Sequence, residues 1–584
     1  MKSKSKLTVV ALSLLLLASC GDTSLSQVSD TTSSNETSSA VEVPSYELVD
    51  RSDNYISDDN YRNFYHIFVH SFADSDGDGT GDLRGIVDKL DYLRNADDPY
   101  GYDSLGINGI YLSPIQEAAS YHGYDIIDYE SIDSDFGTMD DFDDLIQGCH
   151  QRGIKVILDL VLNHTSTQNE YFQSALEALK TDIDKDSFDE NGRPTADLIS
   201  RHPEVDYFRF INEDYNFKYS GYSNRLYNAT GSWNFEGFSS GMPDWNLEND
   251  TVRDLHQQYM KFWLNKGVDG FRLDAVQSFY GESSIDLDKN YEYINFINTV
   301  TKTVNPDAYI IAEGPWSKIG AKSYMENTDI DSYFNFDTGF SNLVKNNAGY
   351  INGLVYDSLR LDNIQDFIAL SGIETKLNED HIDAYFNSNH DIGRITNQFG
   401  FKGNLYLPQL KFHIALQNMF EGNYFLYYGD EIGLMGIKTG DDDKPCRSPF
   451  LWGDEYTTEE LEEGLNDRTE EYFEPENVQR DDPNSLMNFV SNVFRVKDYH
   501  PEIARGEMSY AHTDDVDKII TLEKTYNSTV TKLVVNFGTE EKVESQEDIS
   551  AEGEIQNCIT TNGEYASLEN GNLTLPALSI TVIE

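Results

Sequence analysis

Eight short apolar runs alternate with stretches whose apolar residues fall at helical spacing, and this alternation constrains the chain more than any other feature. The runs are Phe64–Phe72, Ile107–Ile115, Lys155–Asn163, Gly270–Val276, Tyr309–Gly314, Tyr333–Phe340, Ala384–Asp391 and Tyr424–Gly433. Between them lie Leu83–Leu93, Met139–Arg152, Val252–Lys266 and Tyr291–Val304, among others. Repeated strand–helix alternation implies an α/β fold with a parallel sheet. Eight such units imply a closed (β/α)8 TIM barrel, whose functional residues gather at the C-terminal strand ends. The barrel is expected over 51–163 and 246–485. The interval 164–245 is too long for a connecting loop, is rich in Tyr, Asn and Phe, and is expected to form an excursion domain after the third strand. Short alternating segments at Lys518–Leu522, Lys532–Asn536 and Leu573–Ile583 predict a C-terminal antiparallel β-sandwich over 486–584.

The N-terminus reads as a targeting segment. Lys2, Lys4 and Lys6 precede an apolar run, Leu7–Ala18, that is too short to span a bilayer. The run closes on Leu17-Ala18-Ser19-Cys20, which resembles a bacterial lipobox. That resemblance implies a signal peptide over 1–19, lipidation of Cys20 and a flexible tether over 20–50. The expected location is the extracellular face of a bacterial membrane, held by lipid alone, with a secreted form as the alternative. Cys149, Cys446 and Cys558 remain, an odd number with no zinc-like spacing, so no disulfide framework is implied. The 102 acidic and 43 basic residues give a formal net charge of −59. Such a surface repels nucleic acid, whose binding rests on Lys and Arg. It does not repel a neutral polymer.

Three of the runs end in carboxylates. In Gly270-Phe271-Arg272-Leu273-Asp274, side-chain alternation puts Arg272 and Asp274 on one side, where the guanidinium favours the ionised aspartate. An ionised, positioned aspartate suits a covalent nucleophile. Glu313 ends the fifth run and Asp391 the seventh. Three carboxylates on separate strand ends point to glycoside chemistry.

In this order, several motifs resemble those of the α-amylase family of retaining glycoside hydrolases. They are Asp159-Leu160-Val161-Leu162-Asn163-His164, Gly270–Val276, Glu313, Asn389-His390-Asp391, Met242-Pro243-Asp244-Trp245-Asn246 and Tyr427–Gly433. The resemblance implies that Asp274 is the nucleophile, Glu313 the acid/base and Asp391 the stabiliser of the transition state. Retention needs nucleophile and acid/base roughly 5–5.5 Å apart. It further implies that Arg272 orients Asp274, that His122, His164 and His390 bind sugar hydroxyls, and that Tyr124 stacks on a sugar ring. Asp159 is expected to brace the site through hydrogen bonds.

The stretch Asp74-Ser75-Asp76-Gly77-Asp78-Gly79-Thr80-Gly81-Asp82 sets acidic side chains at alternating positions around glycines, an oxygen cage suited to a hard cation. Family loops in this place bind structural calcium, which implies ligation by Asp74, Asp76, Asp78 and Asp82 and the Thr80 carbonyl. A second family calcium site uses an asparagine matching Asn163 and a histidine after the nucleophile. Here Gln277 and Ser278 follow Val276, and that histidine is missing. Family members that remove single terminal glucose units often carry an aspartate where Tyr121 stands, and Ala275 occupies a position that is valine in 1,6-specific relatives. The expected activity is endo-acting hydrolysis of α-1,4 bonds in starch and maltooligosaccharides. The alternatives are an exo-acting α-glucosidase or transglycosylase, and an inactive glucan-binding lipoprotein. The sequence leaves the oligomeric state open.

Overall fold

The computed structural model describes residues 59–98, 103–183, 186–189, 192–212, 226–231, 233–281, 284–314, 318–336, 380–398, 406–438, 442–453 and 455–584, with isolated positions at 365, 372, 376–378 and 440. The expected signal peptide, tether and lipidation site at Cys20 lie outside the described residues. No helix among the described residues is long and apolar enough to cross a membrane.

Each of the eight expected runs overlaps a barrel strand, the sixth by Tyr333 alone. These are β1 (Asn63–Ile67), β2 (Gly109–Leu112), β3 (Lys155–Leu160), β4 (Gly270–Leu273), β5 (Tyr309–Ala312), β6 (Ser332–Tyr333), β7 (Ala384–Phe386) and β8 (Asn423–Tyr427). They form one sheet in the order β6-β5-β4-β3-β2-β1-β8-β7, every pair parallel. A further parallel bridge between Phe334 and Ala384 joins the two edge strands and closes the barrel. Each strand is shorter than its apolar run because the C-terminal part leaves the ladder to form the site. In the first run, for example, the ladder stops at Ile67 and a 3-10 turn takes Val69–Ser71. In the sixth, the ladder holds only two residues, and 337–340 lie outside the described residues.

Strand alternation sorts the core into two clusters. Phe64, Tyr111, Ile157, Tyr309, Ile311, Phe386 and Phe425 fill the barrel interior, with the Phe64 and Phe425 rings stacked at 4.5 Å. Tyr65, Ile110, Val156, Leu158 and Phe271 point outward to the helices. Asp159 lies two residues beyond Ile157 and opposite Arg272 in the β3–β4 register, so both belong to the interior side. Gly270 permits this close approach. Its φ is +155°, and an added Cβ would lie 1.8 Å from the Tyr309 carbonyl oxygen.

Loops beyond the strand ends carry the remaining structure. After β2, Gln116–Ala118 pairs antiparallel with Ile126–Ile132, a hairpin the sequence reading lacks, and its turn holds Tyr121–Tyr124. In the excursion, helices Glu170–Thr181 and Ala196–Arg201 accompany antiparallel strands Phe210–Asn212, Leu226–Thr230 and Trp233–Ser239. Phe172, Phe208, Phe210 and Phe235 pack together there. The strand-rich C-terminal part begins at Glu507, later than the expected 486, because Leu486–Tyr499 is an amphipathic helix that packs on the barrel. Its Ser491 and Arg495 side chains both donate to the Ser104 carbonyl at 2.6 Å. Beyond it lie a five-stranded and a three-stranded antiparallel sheet. The expected strand Leu573–Ile583 breaks at Pro576 into Asn572–Leu575 and Ser579–Ile583, one in each sheet, because proline cannot donate to a ladder.

Gly270→Ala is expected to destabilise the protein by about 3 kcal/mol, since the new methyl group meets backbone that cannot yield. Urea unfolding checks this; an unchanged midpoint would contradict the packing described.

Candidate active site

Arg272 is the centre of the arrangement. It is almost wholly buried, and its Nη1 donates to Asp159 Oδ1 at 2.8 Å, Asp159 Oδ2 at 2.9 Å and Asp274 Oδ1 at 2.7 Å. Its Nη2 lies 3.0 Å from Glu313 Oε2. One guanidinium therefore holds the carboxyl groups of three neighbouring strands. The same Glu313 oxygen accepts from the backbone N–H of Ala275 at 3.0 Å. That N–H is available because Ala275 adopts a left-handed conformation, φ 47° and ψ 39°, which turns the chain sharply after the nucleophile position. Left-handed backbone is costly for a residue with a Cβ, and such strain is typical of functional sites.

Asp159 braces the site, as expected. Besides Arg272, it accepts from Tyr111 Oη at 2.6 Å and Tyr124 Oη at 2.8 Å. The Tyr124 hydroxyl has one proton, which goes to Asp159, so the hydrogen toward His390 Nε2, 2.7 Å away, belongs to the imidazole. His390 Nε2 also lies 3.0 Å from Asp391 Oδ2, and its ring stacks on Tyr124 at 5.3 Å. His122 follows in the same hairpin turn, and its Nδ1 accepts from the Tyr124 N–H at 3.1 Å. His164 is buried against the Phe238 ring at 4.7 Å, and its Nε2 has no side-chain hydrogen-bond partner among the described residues. A small recess, open in part to solvent, lies at these strand ends and reaches Arg272, Glu313, Asn389 and His390.

Electrostatics separate the carboxyls. Burial pushes Asp274 well above the ordinary carboxylate range. The Arg272 charge pulls it down, while Glu313 and Asp159 push it up again. Arg272 favours the ionised Asp274, as expected, but burial acts more strongly in the opposite direction. Asp391 behaves oppositely. Burial acts to raise it, but the His390 and Arg447 charges and the His390 hydrogen bond hold it well below the usual range. Burial also lowers His122, and lowers His164 to about 3.

Sequence reasoning missed Tyr111, Phe238 and Arg447. Tyr111 is one aromatic of an apolar strand run, and Phe238 and Arg447 belong to no recognisable motif. Only the three-dimensional approach of their loops gives them a role.

In the Asp74–Asp82 loop, carboxylate oxygens of Asp74, Asp76 and Asp78 lie within 4.8 Å of one another. These acids also accept loop N–H groups, Asp74 from Gly77 at 2.7 Å and Gly79 at 2.8 Å, and Asp82 lies outside the cluster. It caps helix Leu83–Asp88 by accepting from Gly85 N at 2.6 Å, and it accepts from Ser75 N at 2.8 Å and Ser75 Oγ at 2.9 Å. Three acids thus fit a small hard cation, while Asp82 shapes the loop around them.

Residues 66–506 match the family model described as "Alpha amylase, catalytic domain". A protein named Alpha-amylase 3 from Dictyoglomus thermophilum is 33% identical over 78% of this chain and 81% of its own length. Glucan 1,6-alpha-glucosidase from Streptococcus dysgalactiae subsp. equisimilis is 32% identical over 60% of this chain, and the match spans 61% of that relative. Among solved structures, Eubacterium rectale Amy13B superposes with a TM-score of 0.75 at 31% identity, over 90% of this chain and 96% of that one.

The low value for His164 has a consequence for stability. In the unfolded chain a histidine titrates near 6.5, so between about pH 6.5 and 3 only the unfolded state binds this proton. Stability must fall as pH drops through that window, by about 1.4 kcal/mol per pH unit for this group. His164→Phe is expected to flatten the acid side of the stability–pH curve by one proton, read from urea unfolding between pH 4 and 7. An unchanged slope would contradict a buried neutral imidazole.

Proposed function

The chain belongs to the α-amylase family of glycoside hydrolases, and from this we propose that it cleaves α-1,4-glucosidic bonds within starch and maltooligosaccharides by double displacement. The observation that carries the reading is the single Arg272 guanidinium bonded to both Asp274 and Glu313. It keeps the two carboxyls close, as retaining rather than inverting hydrolysis requires. Asp274 attacks the anomeric carbon as Glu313 gives a proton to the departing glycosidic oxygen. The positive charge that develops on the ring is met by Asp274 and by Asp391, whose charge is secured. Glu313 then takes a proton from water, and the resulting hydroxide displaces Asp274. His164 Nε2, buried without a partner, is suited to a sugar hydroxyl, and His122 and His390 stand beside it in the same role.

Tyr121 and Ala275, together with the relatives named for α-amylase activity, support endo cleavage of α-1,4 bonds. The relative named as a glucan 1,6-alpha-glucosidase supports an exo-acting second reading. For the Asp74–Asp82 loop we propose structural calcium held by Asp74, Asp76 and Asp78 with the Thr80 carbonyl, and Asp82 supporting the loop.

On maltoheptaose, wild type is expected to release mixed short oligomers from the earliest times, seen by chromatography; glucose alone would favour the exo-acting reading. Asp274→Asn should lower kcat by about 10⁴-fold or more, and equal release by both proteins would reject hydrolysis at this site. Calcium chelation should lower Tm by about 2 °C or more, and Asp76→Ala with Asp78→Ala should abolish that response; a chelator-insensitive wild type would overturn the calcium assignment.

A further inference from the structure

Both terminal nitrogens of Arg272 are engaged by Asp159, Asp274 and Glu313. Beside the neighbouring His390 and the more distant Arg272, a third cation, Arg447, favours the charged form of Asp391 and comes from a different element. Arg447 lies in the short turn Lys444–Arg447 after β8, about 56 residues along the chain from Asp391. It is 5% exposed. Its Nη2 donates to Asp391 Oδ1 at 3.1 Å and lies 3.3 Å from Asp443 Oδ2. Its Nε donates to the His390 carbonyl at 3.0 Å, and its Nη1 to Tyr121 Oη at 2.9 Å. The guanidinium also sits 5.4 Å from the Phe68 ring centroid and 5.6 Å from that of Tyr121.

These contacts come from the loops after β1, β2, β7 and β8. We infer that Arg447 is a positioning residue for the hydrolytic reaction: it fixes the Asp391 carboxylate in place and in charge, so that Asp391 can receive sugar hydroxyls and face the developing positive charge. The geometry favours this over a purely structural tie for two reasons. Arg447 Nη2 donates to Oδ1 while His390 Nε2 approaches Oδ2 to 3.0 Å, so both Asp391 oxygens face a nitrogen and the plane of the carboxylate is set. And the Nε bond to the His390 carbonyl holds the backbone next to Asp391, so position and charge come from one side chain. The local charges agree: Arg447 is held firmly protonated, with Asp391 the largest contribution that opposes its burial.

The inference rests on retaining chemistry at Asp274 and Glu313, not on which bond is cleaved. It is tested with α-maltosyl fluoride, whose leaving group needs little acid assistance, in a double-mutant cycle of Arg447→Met and Asp391→Asn. Arg447→Met alone should lower kcat/KM by about 100-fold, mostly in kcat, as misplacement of a reacting group does. In the Asp391→Asn background the same change should cost no more than about twofold, because its target is already gone. Arg447→Lys should recover part of the loss, and Tm values separate activity from folding. An additive cycle, an unaffected Arg447→Met, or a loss that merely follows the unfolded fraction would each overturn the inference. If wild type fails to turn over α-maltosyl fluoride, the proposed function fails instead. The Arg447–Asp391 coupling then remains measurable through binding of 1-deoxynojirimycin, whose loss in Arg447→Met should again be non-additive with Asp391→Asn.

Discussion

The site depends on one buried cation shared among three carboxyl groups. Arg272 can reach Asp159, Asp274 and Glu313 because β3, β4 and β5 are adjacent and in parallel register, with Arg272 directly opposite Asp159. Parallel strands in a barrel all end on the same rim, so groups far apart in sequence arrive together without a long ordered loop. A guanidinium offers several donors in one rigid plane, which lysine cannot match. Removing a partner from such a buried set leaves charge uncompensated, which is costly. The barrel therefore stabilises the catalytic geometry and is stabilised by it.

Much of this was legible in the sequence, for identifiable reasons. Strands buried on both faces leave continuous apolar runs, so all eight barrel strands could be placed, and the residues that end them could be read as a rim. Asp159, Arg272, Asp274, Glu313, His390 and Asp391 meet in the structure because they occupy those strand ends. Loop geometry was not legible. The hairpin Gln116–Ala118/Ile126–Ile132 orients His122 and Tyr124, yet its strands are irregular, with register shifts that hide any alternation. Tyr111 reads as core in the sequence, and only its 2.6 Å bond to Asp159 gives it a place in the site. The helix Leu486–Tyr499 was assigned to the wrong side of a boundary because composition changes there before topology does.

Charge was the quantity that local reading judged least well. Side-chain alternation correctly put Arg272 beside Asp274, but the pair in isolation suggested a simple ion pair. Burial is the strongest influence on Asp274, and two further carboxyls share the guanidinium that opposes it. Asp391 looked like one more acid at a strand end, and the His390 and Arg447 charges hold it well below the usual carboxylate range.

The central claim is that Asp274 bonds covalently to the sugar while Arg272 holds Glu313 beside it. The most direct measurement is to incubate the enzyme with an activated, fluorinated α-glucosyl donor that slows breakdown of a glycosyl-enzyme, then digest it and sequence the labelled peptide by mass spectrometry. The account predicts one sugar per chain, on Asp274 of the peptide containing Gly270-Phe271-Arg272-Leu273-Asp274. A label on Glu313 or Asp391, or turnover with inversion and no covalent adduct, would contradict it.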